Sequence, residues 1–463
     1  MLNQHKIKHS PLMSQYIIAF VCTILFAFNF WLFYPGYITH DWGLSLNDLP
    51  LSNWLPVIYF YLLRIISDIA GYHIWYSLLF NLIPWYLGIY TLVLGFYNRF
   101  QSQWCWLGLL PLILGNIFFN NILLHSSFSS PMIIFMLWAI VLYQILTRIT
   151  VKNLTAFIIV FVLALCSRHN AIVQIYPICF IYAYFIIQKL KFSHKLLAYI
   201  EIYLSLTILT GIIAYGIPRT LQTYVAHPET HIFLHQIAGA CVPHNDENCF
   251  KPNWYRKEKT FEDVKKEYLA DPTNADRMNF NCFHDHPFKS GYLPDLQSMW
   301  LKAIFKYPHD YLRYINRFRQ KMWHAQTPSM EISLSENMHC LHASDCEKLK
   351  SKYPEHELFY QNSIRKIKFY NLFKKILPQV PTFVFIGLNF IIAVFAGILF
   401  MLKKNIFSLY SLSSAIAGIS ASILFCSFTP TIYARYTYPI IISTLMAVIG
   451  IFLAFLDKQK NMS

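Results

Sequence analysis

Apolar runs near twenty residues long recur along the chain, separated by short basic turns and by one polar stretch from Ile217 to Pro378. Twenty residues of α-helix rise about 30 Å, the thickness of a bilayer's hydrocarbon core. The pattern predicts ten spans, near residues 15–34, 72–97, 104–124, 128–146, 154–166, 172–187, 196–215, 383–402, 406–428 and 438–455. A closed barrel would instead show alternating segments of about ten residues. No small-residue cleavage site follows the first run, so it is expected to stay as a span. The stretch 53–69 is apolar but carries Pro56, Arg64 and Asp68, and reads as a helix lying in the interface with Arg64 on its wet side.

Composition agrees with an all-α polytopic membrane protein: 56% of residues are hydrophobic and only 13% charged. The formal charge of +15 raises nucleic acid as a partner, but its distribution points elsewhere. Between Ile217 and Pro378 stand 23 Lys/Arg and 18 Asp/Glu, leaving fifteen bases and five acids for everything else. Twelve of those fifteen bases, among them Lys6, Arg99, Arg148, Lys189, Lys403 and Lys458, fall at alternate turns between spans. Basic residues in short loops mark the cytoplasmic side, so the excess is read as topology, with membrane lipids rather than nucleic acid as partner. Both termini are then cytoplasmic, in an inner (plasma) membrane, and 217–378 forms one extracytoplasmic domain. The chain divides into an N-terminal membrane module (1–216, with a first outer loop at 35–71), that domain, and a C-terminal membrane module (379–463). Cys241 and Cys249, like Cys340 and Cys346, stand close together inside the domain, where an oxidising compartment permits disulfides; Cys282 is left over.

Arg64, Arg168 and Arg435 are the bases that the cytoplasmic clusters do not explain, and the expected topology puts all three at outer helix ends. Of the five acids outside the polar stretch, Asp41, Asp48 and Asp68 share the first outer loop; Glu201 and Asp457 lie toward the inside. Ionisable groups at such depths are costly and pair up or line a functional cavity. Arginine's planar fork suits phosphate oxygens, and a carboxylate beside a bound phosphate can take the proton of an attacking hydroxyl. Asp41 could instead cap the interfacial helix or pair with Arg64.

The stretch "YPGYITHD" (34–41) resembles the Pro-Gly and acidic residue in the first outer loop of GT-C-type membrane glycosyltransferases. "SRHNAI" (167–172) resembles their Arg-x-Asn-Ala junction, "YARYTYP" (433–439) their Arg-Tyr ahead of a late span, and "WLKAIFKYPHDYLRYINR" (300–317) the helix preceding the return to the membrane. The resemblance implies transfer of a sugar from a polyprenyl-phosphate carrier to an extracytoplasmic glycan, lipid or protein. Carried over, Asp41 is the catalytic carboxylate, Arg168 and Arg435 hold the donor phosphate, and Asp48, Arg64, His125, Asn170 and Tyr436 are accessory cavity residues. Where many relatives carry His-Pro-Pro or Lys-Pro-Pro after the acid, this chain offers Asn53, Trp54 and Pro56. No Asp-x-Asp stands near the membrane, and no metal or other cofactor is expected, because Arg can stabilise a phosphate leaving group.

His227, His231 and His235 recur every four residues and would share one helix face if Pro228 opens that helix; with "CFHDH" (282–286) they could hold zinc. No supporting partner is legible, so they read as histidines of a wet helix. Asn116, Asn120 and Asn121 approach the same cavity as His125. Two other readings stay open: an O-antigen-type polymerase or ligase, and a transporter or flippase of a lipid-linked substrate that would lean on Glu201.

Overall fold

The computed structural model describes residues 11–34, 56–71, 73, 75–100, 103–111, 130–189, 194–221, 227, 229–283, 293–327, 351, 380–428 and 437–460. They are overwhelmingly helical: α1 (Pro11–Phe33), α2 (Val57–Ile69), α3 (Trp75–Phe100), α4 (Ser130–Leu146), α5 (Val151–Ser167), α6 (Ile172–Lys189), α7 (Lys195–Gly211), α8 (Glu229–Cys241), α9 (Phe261–Ala270), α10 (Ala275–Cys282), α11 (Leu296–Lys306), α12 (Pro308–His324), α13 (Thr382–Lys403), α14 (Ile406–Phe428) and α15 (Tyr438–Lys460). The described strands are two residues each: β1 (Gln326–Thr327) pairs antiparallel with β2 (Val380–Pro381).

Among the described residues, six helical stretches are long and apolar enough to cross a membrane: Leu78–Phe100, His169–Lys189, Lys195–Leu221, Thr382–Lys403, Ile406–Phe428 and Tyr438–Asp457. The molecule is an all-α membrane protein. Three of the other expected spans correspond to shorter apolar helices, Gln15–Trp31, Ser130–Leu146 and Val151–Ser167. The remaining one, 104–124, begins in a 3-10 turn (Gln103–Leu109), and 112–124 lie outside the described residues. Beyond α7 the helix continues through a π turn (Ile212–Gly216) into Ile217–Leu221, so it runs past the expected end at 215 and into the polar stretch. The expected interfacial helix is α2, which starts just after Pro56, and Arg64 on it is half-buried.

The chain divides into two compact units: residues 1–47, 62–167 and 332–378, and residues 48–61, 168–331 and 379–463. In the first, α3 packs on α1 and α4, and α4 on α5. α4 is apolar all round and buried on nearly every side, with Phe135 set 4.5 Å from the ring of Trp85. Asn29 donates from Nδ2 to the hydroxyl of Tyr86, which lets one amide sit inside an apolar bundle. At the α4–α5 turn Asn153 accepts from the Thr150 amide (2.7 Å) while Thr150 Oγ1 accepts from the Asn153 amide (3.3 Å), so the helix start is reciprocally capped.

The second unit is organised around α14, against which α6, α13 and α15 pack. Its buried face is built of small residues, including Ser411, Ser414, Gly418 and Ala421, which let neighbouring backbones approach closely. A Cβ on Gly418 would stand 2.4 Å from Nδ2 of Asn389, a buried amide on α13 that donates to Thr444 Oγ1 on α15 (2.8 Å). Toward its C-terminus α14 changes role. Ala421 and Phe425 join a single buried cluster with Leu234, Ile237, Trp254, Tyr268 and Met322 of the polar helices. Those helices carry strong local start signals: the Thr260–Asp263 capping box at α9, and Asn274 accepting from the Arg277 amide at α10. Cys241 and Cys249 are joined in a disulfide, as expected; Cys340 and Cys346 lie outside the described residues.

Candidate functional site

Arg168 follows the last residue of α5 with extended backbone (φ −165°, ψ 140°) and caps the short turn His169–Ala171 that leads into α6. Arg168 and Asn170 are half-buried there. An arginine at a helix start inside an apolar bundle keeps its charge and offers a fork of donors. One turn into α6, Gln174 is fully buried and binds both neighbouring helices. Its Nε2 donates to the carbonyls of Ala417 on α14 and Pro439 on α15 (3.3 Å each), and its Oε1 accepts from Ser443 Oγ (3.0 Å). The start of α6, with Arg168 before it, therefore lies beside the start of α15. The described chain resumes at Thr437, two residues after Arg435.

Gln174 meets α14 near the middle of that helix, at Ala417, and Ser427 lies ten residues on, about 15 Å along the axis. Beyond that level the polar helices are seated. Gln236 on α8 donates from Nε2 to the Ser427 carbonyl (2.7 Å), while its Oε1 accepts from Trp300 Nε1 (2.7 Å) and from the Tyr311 hydroxyl (3.2 Å). Met322 on α12 meets the Cys426 thiol at 3.5 Å, and the Thr382 amide donates to the Ala325 carbonyl (3.0 Å). Met322 thus touches the end of α14 directly, and Tyr311, eleven residues earlier on α12, is joined to it through Gln236. α8 and α12 are thus seated on the end of α14, and Val173 beside Gln174 and Ile440 of α15 pack into the same buried cluster.

Asp41, Asp48, His125, Arg435 and Tyr436 lie outside the described residues. Arg64 belongs to the other compact unit. Gln174 and Gln236 were not singled out by sequence reasoning. The available signal was the isolated amide in an apolar run ("AIVQIYP", residues 171–177) and, for Gln236, a glutamine opening the small-residue stretch "QIAGAC" (236–241).

The three histidines do not form one metal-binding stripe, because each has its own partner. His227 lies ahead of α8 and pairs with Glu229 (2.9 Å); His231 meets Asp276 (3.2 Å); His235 meets the Tyr314 hydroxyl (2.9 Å). Of "CFHDH", residues 284–286 lie outside the described residues. His235 is completely buried between Tyr268, Tyr314 and Phe318, and burial pushes its imidazole down to about 3, against a smaller upward pull from Asp271. Among the described residues the ligand-like group is Cys241, Asp246 and Cys249, whose donor atoms lie within 4.8 Å of one another. The two sulfurs are bonded together and supply no thiolate, which leaves one carboxylate. That carboxylate is engaged: Lys306 Nζ (2.7 Å) and the Tyr307 hydroxyl (3.0 Å) both donate to Asp246, and the lysine chiefly holds its carboxyl below the usual range.

Glu201 is exposed on α7. In searches against protein-family models, curated proteins and solved structures, the chain matched none.

Proposed function

We propose that this chain is an inner-membrane glycosyltransferase that moves a sugar from a polyprenyl-phosphate carrier to an extracytoplasmic glycan, lipid or protein. The single observation that carries the reading is the Gln174 tie, which sets the helix start behind Arg168 beside the start of α15, which follows Arg435 in the sequence. A carrier phosphate held at that level would have its tail among the membrane helices and its sugar facing the polar helices. The fuller topology belongs to the same proposal: ten spans, cytoplasmic termini, and 217–378 as one extracytoplasmic domain that helps choose the acceptor.

The acceptor hydroxyl attacks the anomeric carbon, and the bond between that carbon and the carrier phosphate oxygen breaks. Its electron pair leaves with the phosphate. Arg168 and Arg435 carry the growing negative charge, and Asp41 takes the hydroxyl proton. The accessory residues that the resemblance implies, Asp48, Arg64, His125, Asn170 and Tyr436, belong to the same proposal.

Mass spectrometry of surface glycans tests this in a deletion strain rescued with wild type, Asp41→Asn or Arg168→Gln. Loss of one sugar in the deletion and in both variants, restored by wild type, is the expected result. Loss of a whole polymer ladder would replace the reading with a polymerase or ligase, and full rescue by both variants would remove the assigned chemistry.

A further inference from the structure

We propose that the face of α11 bearing Leu301, Lys302, Phe305 and Lys306 rests on the anionic lipid surface of the bilayer in which the protein sits. This goes beyond the glycosyltransferase reading and rests only on the apolar helices crossing a membrane.

α11 has two sides. Leu296 and Ala303 are buried in the polar helices' core, and Trp300 is packed against it. Opposite them Leu301 and Phe305, one turn apart, are 46% and 80% exposed, flanked by the exposed Lys302 and Lys306. Four carbons' reach of lysine beside two large apolar side chains is the make-up of an interfacial helix, with apolar groups in the acyl boundary and amines on lipid phosphates.

Depth is set by the hydrogen bonds. α14 has 23 residues, about 34 Å of helix, so its end at Ser427 reaches headgroup level when the rest of it spans the hydrocarbon core. Gln236 joins Ser427 to Trp300, the residue next to Leu301. An indole held at this level is itself the signature of the membrane–water interface.

Charge selects the occupant. On the face itself the charged side chains are Lys302 and Lys306, both exposed, and the two nearest acids, Asp246 and Asp295, are each already held by a lysine, Lys306 and Lys251. A basic surface at headgroup depth is complementary to anionic lipid, and a second copy of the same face would be repelled by it. Lys306 also binds Asp246 in the disulfide-closed turn, which holds α11 in place while leaving Leu301 and Phe305 outward.

The test places the photo-crosslinking amino acid p-benzoylphenylalanine at Phe305, and separately at Phe390, an exposed position (51%) on α13, in the full chain in lipid nanodiscs. Discs of phosphatidylcholine alone are compared with discs containing equal phosphatidylglycerol, and adducts are read by mass spectrometry. The expected result is lipid adducts at both sites, with the Phe305 yield favouring phosphatidylglycerol and that preference falling about fivefold per unit of charge removed in Lys302→Glu. Adducts at Phe390 without adducts at Phe305 would overturn this proposal alone. No lipid adduct at Phe390 would overturn the membrane placement and the proposal together. Adducts at Phe305 formed mainly with a second copy of the chain, or lipid yields indifferent to headgroup charge, would overturn the choice of occupant.

Discussion

Acidification from about pH 7.5 to about pH 5 should weaken the polar helices through His235, and the size of the effect can be worked out. The imidazole is fully buried, donates to or accepts from Tyr314 through Nδ1, and has no hydrogen-bond partner for Nε2 among the described residues. The charged or titratable groups around it are Asp271, which favours its charged form, and the phenols of Tyr268 and Tyr314, which burial pushes up and keeps neutral. Folded, His235 titrates at about 3, against 6.5 in an open chain. Between those values the unfolded state binds the proton and the folded state does not, so stability falls as pH falls through that window and is complete above it. At pH 5 the unfolded imidazole is almost wholly charged, and the linkage cost relative to pH 7.5 is about 2 kcal/mol. Thermal unfolding in nanodiscs at the two pH values, for wild type and His235→Gln, isolates this contribution. Glutamine can keep the bond to Tyr314 and does not titrate. The difference between the pH-induced losses of the two proteins should be about 2 kcal/mol, larger in wild type. Equal losses would show that His235 is not held neutral by burial, and the account of the core around it would fail.

Two further outcomes follow from packing and covalent structure. Gly418→Ala sets a methyl 2.4 Å from the Asn389 amide, which is itself fixed to Thr444, and should destabilise the α13–α14–α15 seam by about 1–3 kcal/mol, read as a lowered melting temperature that Gly387→Ala, where the added methyl meets nothing within 4 Å, does not reproduce. Cys249→Ser opens the eight-residue link to Cys241 and should cost about 2.5 kcal/mol on the chain-entropy scale, with reductant producing the same loss in wild type and none in the variant.

Much of the helical plan was legible because hydropathy is a property of single residues summed along the chain. The last three spans were expected at 383–402, 406–428 and 438–455, and the helices run Thr382–Lys403, Ile406–Phe428 and Tyr438–Asp457. The Cys241–Cys249 bridge was legible from proximity in sequence. Three things were not. The sequence read His227, His231 and His235 as histidines of a wet helix, but His231 and His235 are fully buried, and spacing says nothing of Glu229, Asp276 and Tyr314, each of which claims one ring. No residue type announces the π turn that follows α7. The meeting of the α6 and α15 starts and the seating of α8 on α14 depend on where Gln174 and Gln236 bind, across 243 and 191 residues of intervening chain. Arg168 itself was singled out in sequence as a base that topology left over, and it stands at a helix junction.

The double role of α14 bears on the order in which the protein can be made. Its C-terminal part, together with Ile386 and Ile440, completes the buried cluster that begins at Leu234. When a ribosome has finished Met322, the polar helices have all been synthesised, yet the residues that close their core are still unmade. At about 5–20 residues per second the 118 residues from Met322 to Ile440 take roughly 6–24 s. Throughout that interval Met322 lacks its Cys426 contact and the cluster lacks Ile386, Ala421, Phe425 and Ile440, while the Cys241–Cys249 bond and hydrogen bonds such as His235–Tyr314 can already form. A product truncated before Thr382 would carry this vulnerable state indefinitely, and would be a substrate for the membrane's quality-control proteases.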